Sequence, residues 1–298
     1  MVFASGFRRP VRALDGFSMD IPQGSVVGLL GPNGSGKTTA LSCLLGLLRP
    51  QCGEILLFGE KLGSDLPSED RKRVGVLLED TRLPPFLSVR AALRTVCRLR
   101  GLAGARLSIE LDRVVDESGT EPLLSRKVSV LSKGQARRVG LAAALVGDPP
   151  LLILDEPSAG LDVSAREEFN ELVRALRGKT RTVIIASHLL SDIERTCTHV
   201  ALVRDGRVLA MDTSERLLTE AREGHAEKDI HVEARFRADL DRLGARYEES
   251  SYPGLVRLLV TEPEHELIER LARERIVPTR IEPRVTLVSI YIDIMGKE

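Results

Sequence analysis

Apolar and polar residues alternate along this chain in blocks that read as strands and helices in turn. Residues 25–30 (S-V-V-G-L-L) form a short apolar run between Pro22-Gln23-Gly24 and Gly31-Pro32, the length and punctuation of a buried strand. Residues 38–48 are apolar almost all round and stop at Arg49-Pro50, which predicts a buried helix. A short strand is expected over 54–58, ended by Gly59. Across 89–100, Val89, Ala92, Leu93 and Val96 recur at helical spacing with arginines opposite and Ser88 in the N-cap position. A further helix is expected from Ser132 to about Val146, with Gly147 past its end and Pro149 beyond. Two more apolar runs, 151–154 and 182–186, flank a helical stretch near 164–177. Strands alternating with helices predict an α/β domain on a mostly parallel sheet.

Past about Met211 the pattern changes. Residues 219–229 are polar and charged and read as a linker between a domain over 1–218 and a smaller one over 230–298. In the smaller part 230–236, 255–260 and 277–281 read as strands and 264–275 as a helix, a small α+β domain. No internal repeat or low-complexity tract is visible.

Composition narrows the function classes. Basic and acidic residues balance at 43 each over 298 residues, so bulk charge favours neither nucleic acid nor an acidic membrane face. Aromatics are 3% with no Trp, which removes the stacking platforms of single-strand nucleic-acid binders. Cys43, Cys52, Cys97 and Cys197 lack metal-ligand spacing and read as reduced cytosolic thiols. The N-terminus lacks the apolar core of a signal peptide, and no run approaches the roughly 18–20 apolar residues that cross a bilayer. The chain reads as soluble by itself.

Chemistry enters at G-P-N-G-S-G-K-T (31–38), which fits G-x-x-x-x-G-K-[ST] between an expected strand and an expected helix. Small residues let successive backbone N–H groups curl around a phosphate, and the helix start adds partial positive charge. Lys37 would reach the outer phosphates and the Thr38 hydroxyl would hold Mg²⁺. A glycine-rich turn that merely reverses the chain is the bland alternative, and the flanking strand and helix argue against it. L-L-I-L-D-E-P (151–157) ends an apolar strand in two acids. Beside a phosphate loop, Asp155 can support the metal and Glu156 the attacking water; alone, the same pair would read as a solvated strand end. Ser187-His188 closes the next strand, where a γ-phosphate sensor would be wanted.

A second anion site is suggested by L-S-K-G-Q (131–135). Ser132 and Gln135 are spaced as a capping box. Capping does not account for Gly134, which costs about 1 kcal/mol inside a helix relative to Ala and makes sense if something approaches the backbone closely.

The ordered set Gly31–Thr38, 131–135, 151–156, S-A-G-L-D (158–162) and His188 resembles the ATP-binding subunit of an ABC transporter, over about residues 1–215. The resemblance implies a P-loop NTPase of the ABC ATPase type with a helical subdomain. It implies a head-to-tail pair with two ATP molecules, each held between one copy's phosphate loop and the other copy's pentad. Asn33, Gly34, Ser35, Gly36, Lys37, Thr38 and Thr39 would wrap the phosphates, with Thr38 and Asp155 on Mg²⁺. Glu156 would be the general base, and His188 would contact the γ-phosphate. Ser132, Gly134 and Gln135 would act on the neighbour's nucleotide, and Asp162 would lie in the loop linking the two sites. Phe7 is the candidate for stacking on adenine, with Phe3 the alternative register.

Two positions depart from the family pattern. Lys133 stands where Gly is usual, as in an exporter-type branch, and Glu79, in V-G-V-L-L-E-D (74–80), stands where a metal-contacting Gln is usual. A carboxylate can still ligate Mg²⁺, though it adds negative charge near the phosphates. Pro84-Pro85-Phe86 and the helix after it offer a docking surface for a membrane partner, with core packing the competing reading. The expected role is an ATPase subunit at the cytoplasmic face of the cell membrane, driving export through a separate transmembrane permease subunit, with no nucleic acid involved. A soluble relative acting on nucleic acid or ribosomes is the alternative. The single cassette, and the absence of heptads between Lys37 and Ser132, argue against it. A catalytically dead subunit is disfavoured because Lys37, Asp155, Glu156 and His188 are all present.

Overall fold

The computed structural model describes residues 2–3, 11–63, 67–176, 181–217, 228–259 and 264–283. The chain divides into two compact units, Met1–Ser214 and Glu215–Glu298. In the first, β1 (Val2–Phe3) pairs with β2 (Val11–Arg12), and β4 (Leu56–Leu57) forms a small hairpin with β5 (Glu60–Lys61). The expected strand over 54–58 is thus two residues of a hairpin, turned by Phe58 and Gly59, both at positive φ.

The first unit is built on six strands: β3 (Val26–Leu30), β6 (Val74–Leu77), β7 (Leu151–Asp155), β8 (Thr182–Ser187), β9 (His199–Arg204) and β10 (Arg207–Thr213), in the order β10-β9-β3-β8-β7-β6. All neighbours run parallel except β9 and β10, which form a hairpin. Its turn is Asp205-Gly206, both at positive φ, as a two-residue hairpin requires. The carboxyl ends of β3, β6, β7 and β8 therefore lie along one edge, where open parallel sheets bind ligands. Val27, Leu29, Ile153, Ile184 and Ala201 pack in the core with Leu41 of α1 (Lys37–Leu44). Helix α1 is shorter than the expected 38–48.

A short helix, α2 (Ser68–Lys72), precedes β6. A helical layer follows: α3 (Val89–Leu99), α4 (Gly104–Ser118) and α5 (Lys133–Leu145). It has its own core of Val89, Leu93, Leu111, Val115, Val139 and Ala142. Ser88 caps α3, its Oγ accepting from the Ala91 N–H at 3.2 Å. Val89 and Leu93 of the α3 stripe are thus spent on this core, while Val96 is half-buried and Phe86 just before the helix stays 75% exposed. Helix α5 joins the layer to the sheet. A Cβ on Gly75 of β6 would stand 2.2 Å from Ala144 O, and one on Gly140 would stand 2.7 Å from Leu77 Cδ1. Two arginines clamp the edge strand: Arg100 donates to Lys72 O and Val74 O, and Arg137 to Leu78 O and Glu79 O. The unit is completed by α6 (Val163–Ala175) and α7 (Leu190–Thr196).

The second unit contains β11 (Lys228–Glu233), α8 (Arg237–Arg242), β12 (Tyr247–Glu249), β13 (Leu255–Leu258), α9 (Glu264–Arg273) and β14 (Arg280–Pro283). The sheet is antiparallel in the order β12-β13-β11-β14, the βαββαβ ferredoxin-like arrangement. Ile230, Val232, Val256 and Leu258 face Leu240, Leu267 and Leu271. The last strand was expected over 277–281 and lies instead at Arg280–Pro283. Val277 is 72% exposed, and Pro278 has no N–H to give a ladder.

Candidate functional site

The sheet's carboxyl edge gathers five of the expected residues. Between β3 and α1 the loop 31–36 turns tightly, with Ser35 N–H donating to Pro32 O and Gly34 and Gly36 at φ 82° and 105°. A Cβ on Gly31 would stand 2.1 Å from Val203 O, and one on Gly36 would stand 2.6 Å from Ala13 O, so both positions need glycine. Gly36 is the N-cap of α1 and carries no side-chain cap, so the first-turn N–H groups are available to an anion. The Ser35 hydroxyl is buried and without a hydrogen-bond partner among the described residues. These features fit a bound phosphate.

Lys37 is buried, and its Nζ donates to Gly31 O at 2.7 Å and Pro32 O at 3.1 Å. Burial pulls its pKa below the usual lysine range, while Glu156 and Asp155 hold it up. Thr38 Oγ1 donates to Asp155 Oδ1 at 3.3 Å, across from β7. Asp155 is 3% exposed, and burial pushes its pKa up against the lowering effect of the Thr38 hydrogen bond. Glu156 follows at φ 45°, its N–H donating to Ala186 O of β8 at 2.9 Å. Its carboxylate stands 3.8 Å from Lys37 Nζ through Oε1, and 2.8 Å from His188 Nδ1 through Oε2. Parallel pairing of β7 with β8 sets that contact, since Asp155 pairs with Ala186 and His188 follows directly after β8.

The hard oxygen donors Thr38 and Asp155 suit Mg²⁺. No group of three or more His, Cys, Asp or Glu side chains gathers as a metal site among the described residues, so a metal here would share its ligands with the nucleotide. Glu79, just past β6, is exposed, and its charge adds to the upward push on Asp155. The pK shift of Asp155 carries a stability consequence. A carboxyl raised by burial weakens the fold above its folded pKa, and that cost fades as pH falls through it. Metal-free Asp155→Asn protein should therefore melt higher than wild type at neutral pH, by about 2–4 °C for each kcal/mol recovered. The gain should shrink in acid. Calorimetry at two pH values checks this, and a lower melting temperature at neutral pH would contradict it.

The pentad stands apart from this cluster. Ser132 Oγ accepts from Gln135 N–H at 3.2 Å and Gln135 Oε1 accepts from Ser132 N–H at 3.1 Å, so the capping box forms. Gln135 also accepts from Arg126 at 3.0 Å. A Cβ on Gly134 would stand 2.9 Å from Ala165 Cβ of α6. Close approach does explain this glycine, but the approaching group is a helix of the same chain. Lys133 lays its side chain across Gly160, where a Cβ would meet Nζ at 3.0 Å. Asp162 caps α6, its Oδ1 accepting from Ala165 N–H at 2.9 Å. Phe7 lies outside the described residues. Asn33 is exposed and Thr39 half-buried. Sequence reasoning passed over Arg137, whose partners are backbone carbonyls 59 and 58 residues away.

A family model described as ABC transporter matches residues 14–159. The chain is 38% identical over 211 residues to the Nod factor export ATP-binding protein I of Burkholderia pseudomallei (strain 1710b), covering 71% of this chain and 69% of that protein. The Cupriavidus metallidurans protein of the same name is 36% identical over 205 residues, 69% of this chain and 67% of its own. Among solved structures, cbiO1 from Clostridium perfringens, described as part of the ABC transporter complex cbiONQ, superposes with a TM-score of 0.64. It is 28% identical and covers 78% of this chain and 90% of that one. A phosphate loop, an acidic strand end and a strand-end histidine brought together on the edge of a parallel sheet agree with these likenesses, and the chain belongs to the ATP-binding subunits of ABC transporters, which are ATPases coupled to transport.

Proposed function

We propose that two copies of this chain close head to tail on two ATP molecules, each lying between loop 31–38 of one copy and the pentad 131–135 of the other. The closure and its reversal drive outward transport through a separate permease subunit at the cytoplasmic face of the membrane. One observation carries this reading. Lys37, Thr38, Asp155, Glu156 and His188 gather at one place, while the exposed helix start at Ser132 is bonded to other parts of its own chain. An anion site with no role in its own chain's cluster is suited to a neighbour's nucleotide. Export is favoured by the names of the two relatives described above.

In this reading Asn33 to Thr39 present their backbone to the phosphates, and Lys37 turns from Gly31 O and Pro32 O to the outer phosphate oxygens. Thr38 and Asp155 hold Mg²⁺, with Glu79 a third oxygen donor, and Phe7 stacks on adenine. Mg²⁺ there neutralises charge on the β- and γ-phosphates. Glu156 takes the proton of the attacking water. His188 donates from Nδ1 to that carboxylate, and the ring must carry its second proton to donate from Nε2 to the γ-phosphate as well. Ser132, Gly134 and Gln135 serve the opposite nucleotide, and Asp162 lies in the loop between sites. Residues 1–218 form the ATPase domain and 230–298 an accessory domain, whose first strand begins at Lys228, inside the linker expected over 219–229.

Among the described residues no helix is long and apolar enough to cross a membrane, so the pathway belongs to a partner. The 75%-exposed Phe86 beside α3 is its docking point. A tagged chain recovered from gently solubilised membranes should bring down a polytopic membrane protein in stoichiometric amount. Recovery from the soluble fraction with ribosomes or nucleic acid would replace the transporter reading.

A further inference from the structure

We infer that Asp192 is a positioning residue for hydrolysis, fastening the loop 158–162 to the helix that follows His188. Asp192 sits in α7, four residues past His188, and is 3% exposed. Both side-chain partners of its carboxylate among the described residues are neutral: Ser158 Oγ donates to Oδ2, and Asn170 Nδ2 donates to Oδ1 at 3.0 Å. Burying a carboxylate against neutral donors is costly, so packing alone is a poor account of it.

The two donors define what the carboxylate does. Ser158 opens the loop 158–162, and Asn170 belongs to α6, the helix that follows the loop and is capped by Asp162. One acceptor-only group therefore takes the loop's first residue on one oxygen, while its other oxygen is anchored to the body of α6, eight residues past the loop's last residue. An Asn at this position would keep one acceptor oxygen, and either Ser158 or Asn170 would have to turn its own oxygen toward the new N–H₂. Segments 156–158 and 188–192 are joined by two rungs, Glu156–His188 at 2.8 Å and Ser158–Asp192. A shift of His188 relative to Glu156 is thereby passed to the loop.

This rests on the roles proposed for Glu156, His188 and the loop between sites, and the test separates the two. Ser158→Ala and Asn170→Ala each remove one bond to the same carboxylate, on different sides. A purely structural Asp192 would lower the melting temperature in both variants and treat kcat alike. As a positioning residue, it makes Ser158→Ala lower kcat by about 10–100-fold with KM nearly unchanged, while Asn170→Ala keeps kcat within about twofold. Asp192→Asn should also lower kcat. Combining it with Asn170→Asp, which keeps one amide and one carboxylate in the pocket, should restore kcat. Equal effects of Ser158→Ala and Asn170→Ala on kcat would overturn the inference. So would a combined variant that recovers melting temperature without kcat. Glu156→Gln, assayed alongside, reports on the base assignment independently of this contrast.

Discussion

Replacing Glu156 with Gln should lower ATP turnover by about 10²–10⁴-fold, the range spanned by a positioned general base, while ATP stays bound. The substitution is nearly isosteric and an amide oxygen can still accept from His188, so the 2.8 Å contact survives. What is lost is the capacity to take a proton. Lys37 also loses a carboxylate 3.8 Å from its Nζ, which leaves Asp155 and the phosphates of bound ATP to oppose the downward pull of burial on its pKa. The negative phosphates of bound ATP are a stronger partner for Lys37 than the lost carboxylate, so affinity should hold. With hydrolysis blocked, the ATP-bound pair should accumulate and be seen by light scattering in the presence of ATP. Turnover close to wild type would remove Glu156 from the role of base and return attention to His188.

The backbone conformation at Glu156 bears on the same point. A non-glycine residue at φ 45° is uncommon, and such strain tends to persist where the surroundings over-determine it. Here the β8 carbonyl of Ala186, the Lys37 amine and the His188 ring each fix a different atom of the residue. A base held from several sides is placed before its water arrives, which is how position contributes to rate.

The phosphate loop was legible in the sequence because its chemistry is local. Strand, glycine turn, lysine and helix follow one another, and each constraint acts within a few residues. The parallel strands ending in Asp155 and Ser187 were legible for the same reason. Relations across the sheet were not. Strand β6 carries Gly75 in its middle, which interrupts an apolar run for a reason visible only in space, since Ala144 O occupies the place of a side chain. Gly134 signalled a close approach, but nothing in the sequence said that Ala165 was what approached. Arg137 and Asp192 bond to groups far along the chain, and an isolated Arg or Asp on a helix is ordinarily a solvated face. In the second unit, α8 is six residues of mixed charge with Leu240 alone buried, too short to show a period.

Ser132→Arg should abolish ATP turnover and leave nucleotide binding to the variant's own loop 31–38 intact. The structure adds a separate cost. Ser132 is the N-cap of α5, with its hydroxyl on Gln135 N–H, and losing such a cap typically costs about 1 kcal/mol. A modest fall in melting temperature is therefore expected and does not explain lost turnover. Ser132→Asp separates the two effects, because Asp caps as well as Ser but sets a carboxylate against a neighbour's γ-phosphate. It should melt like wild type and hydrolyse poorly. The decisive form of the experiment mixes Ser132→Arg with Lys37→Ala, each inactive by itself. In a mixed pair, the intact loop of the first copy faces the intact pentad of the second, which completes one site. Random pairing makes half the dimers mixed, so activity should return to about a quarter of wild type. If the pentad acted on its own chain's nucleotide, neither copy would hold a complete site and the mixture would stay inactive.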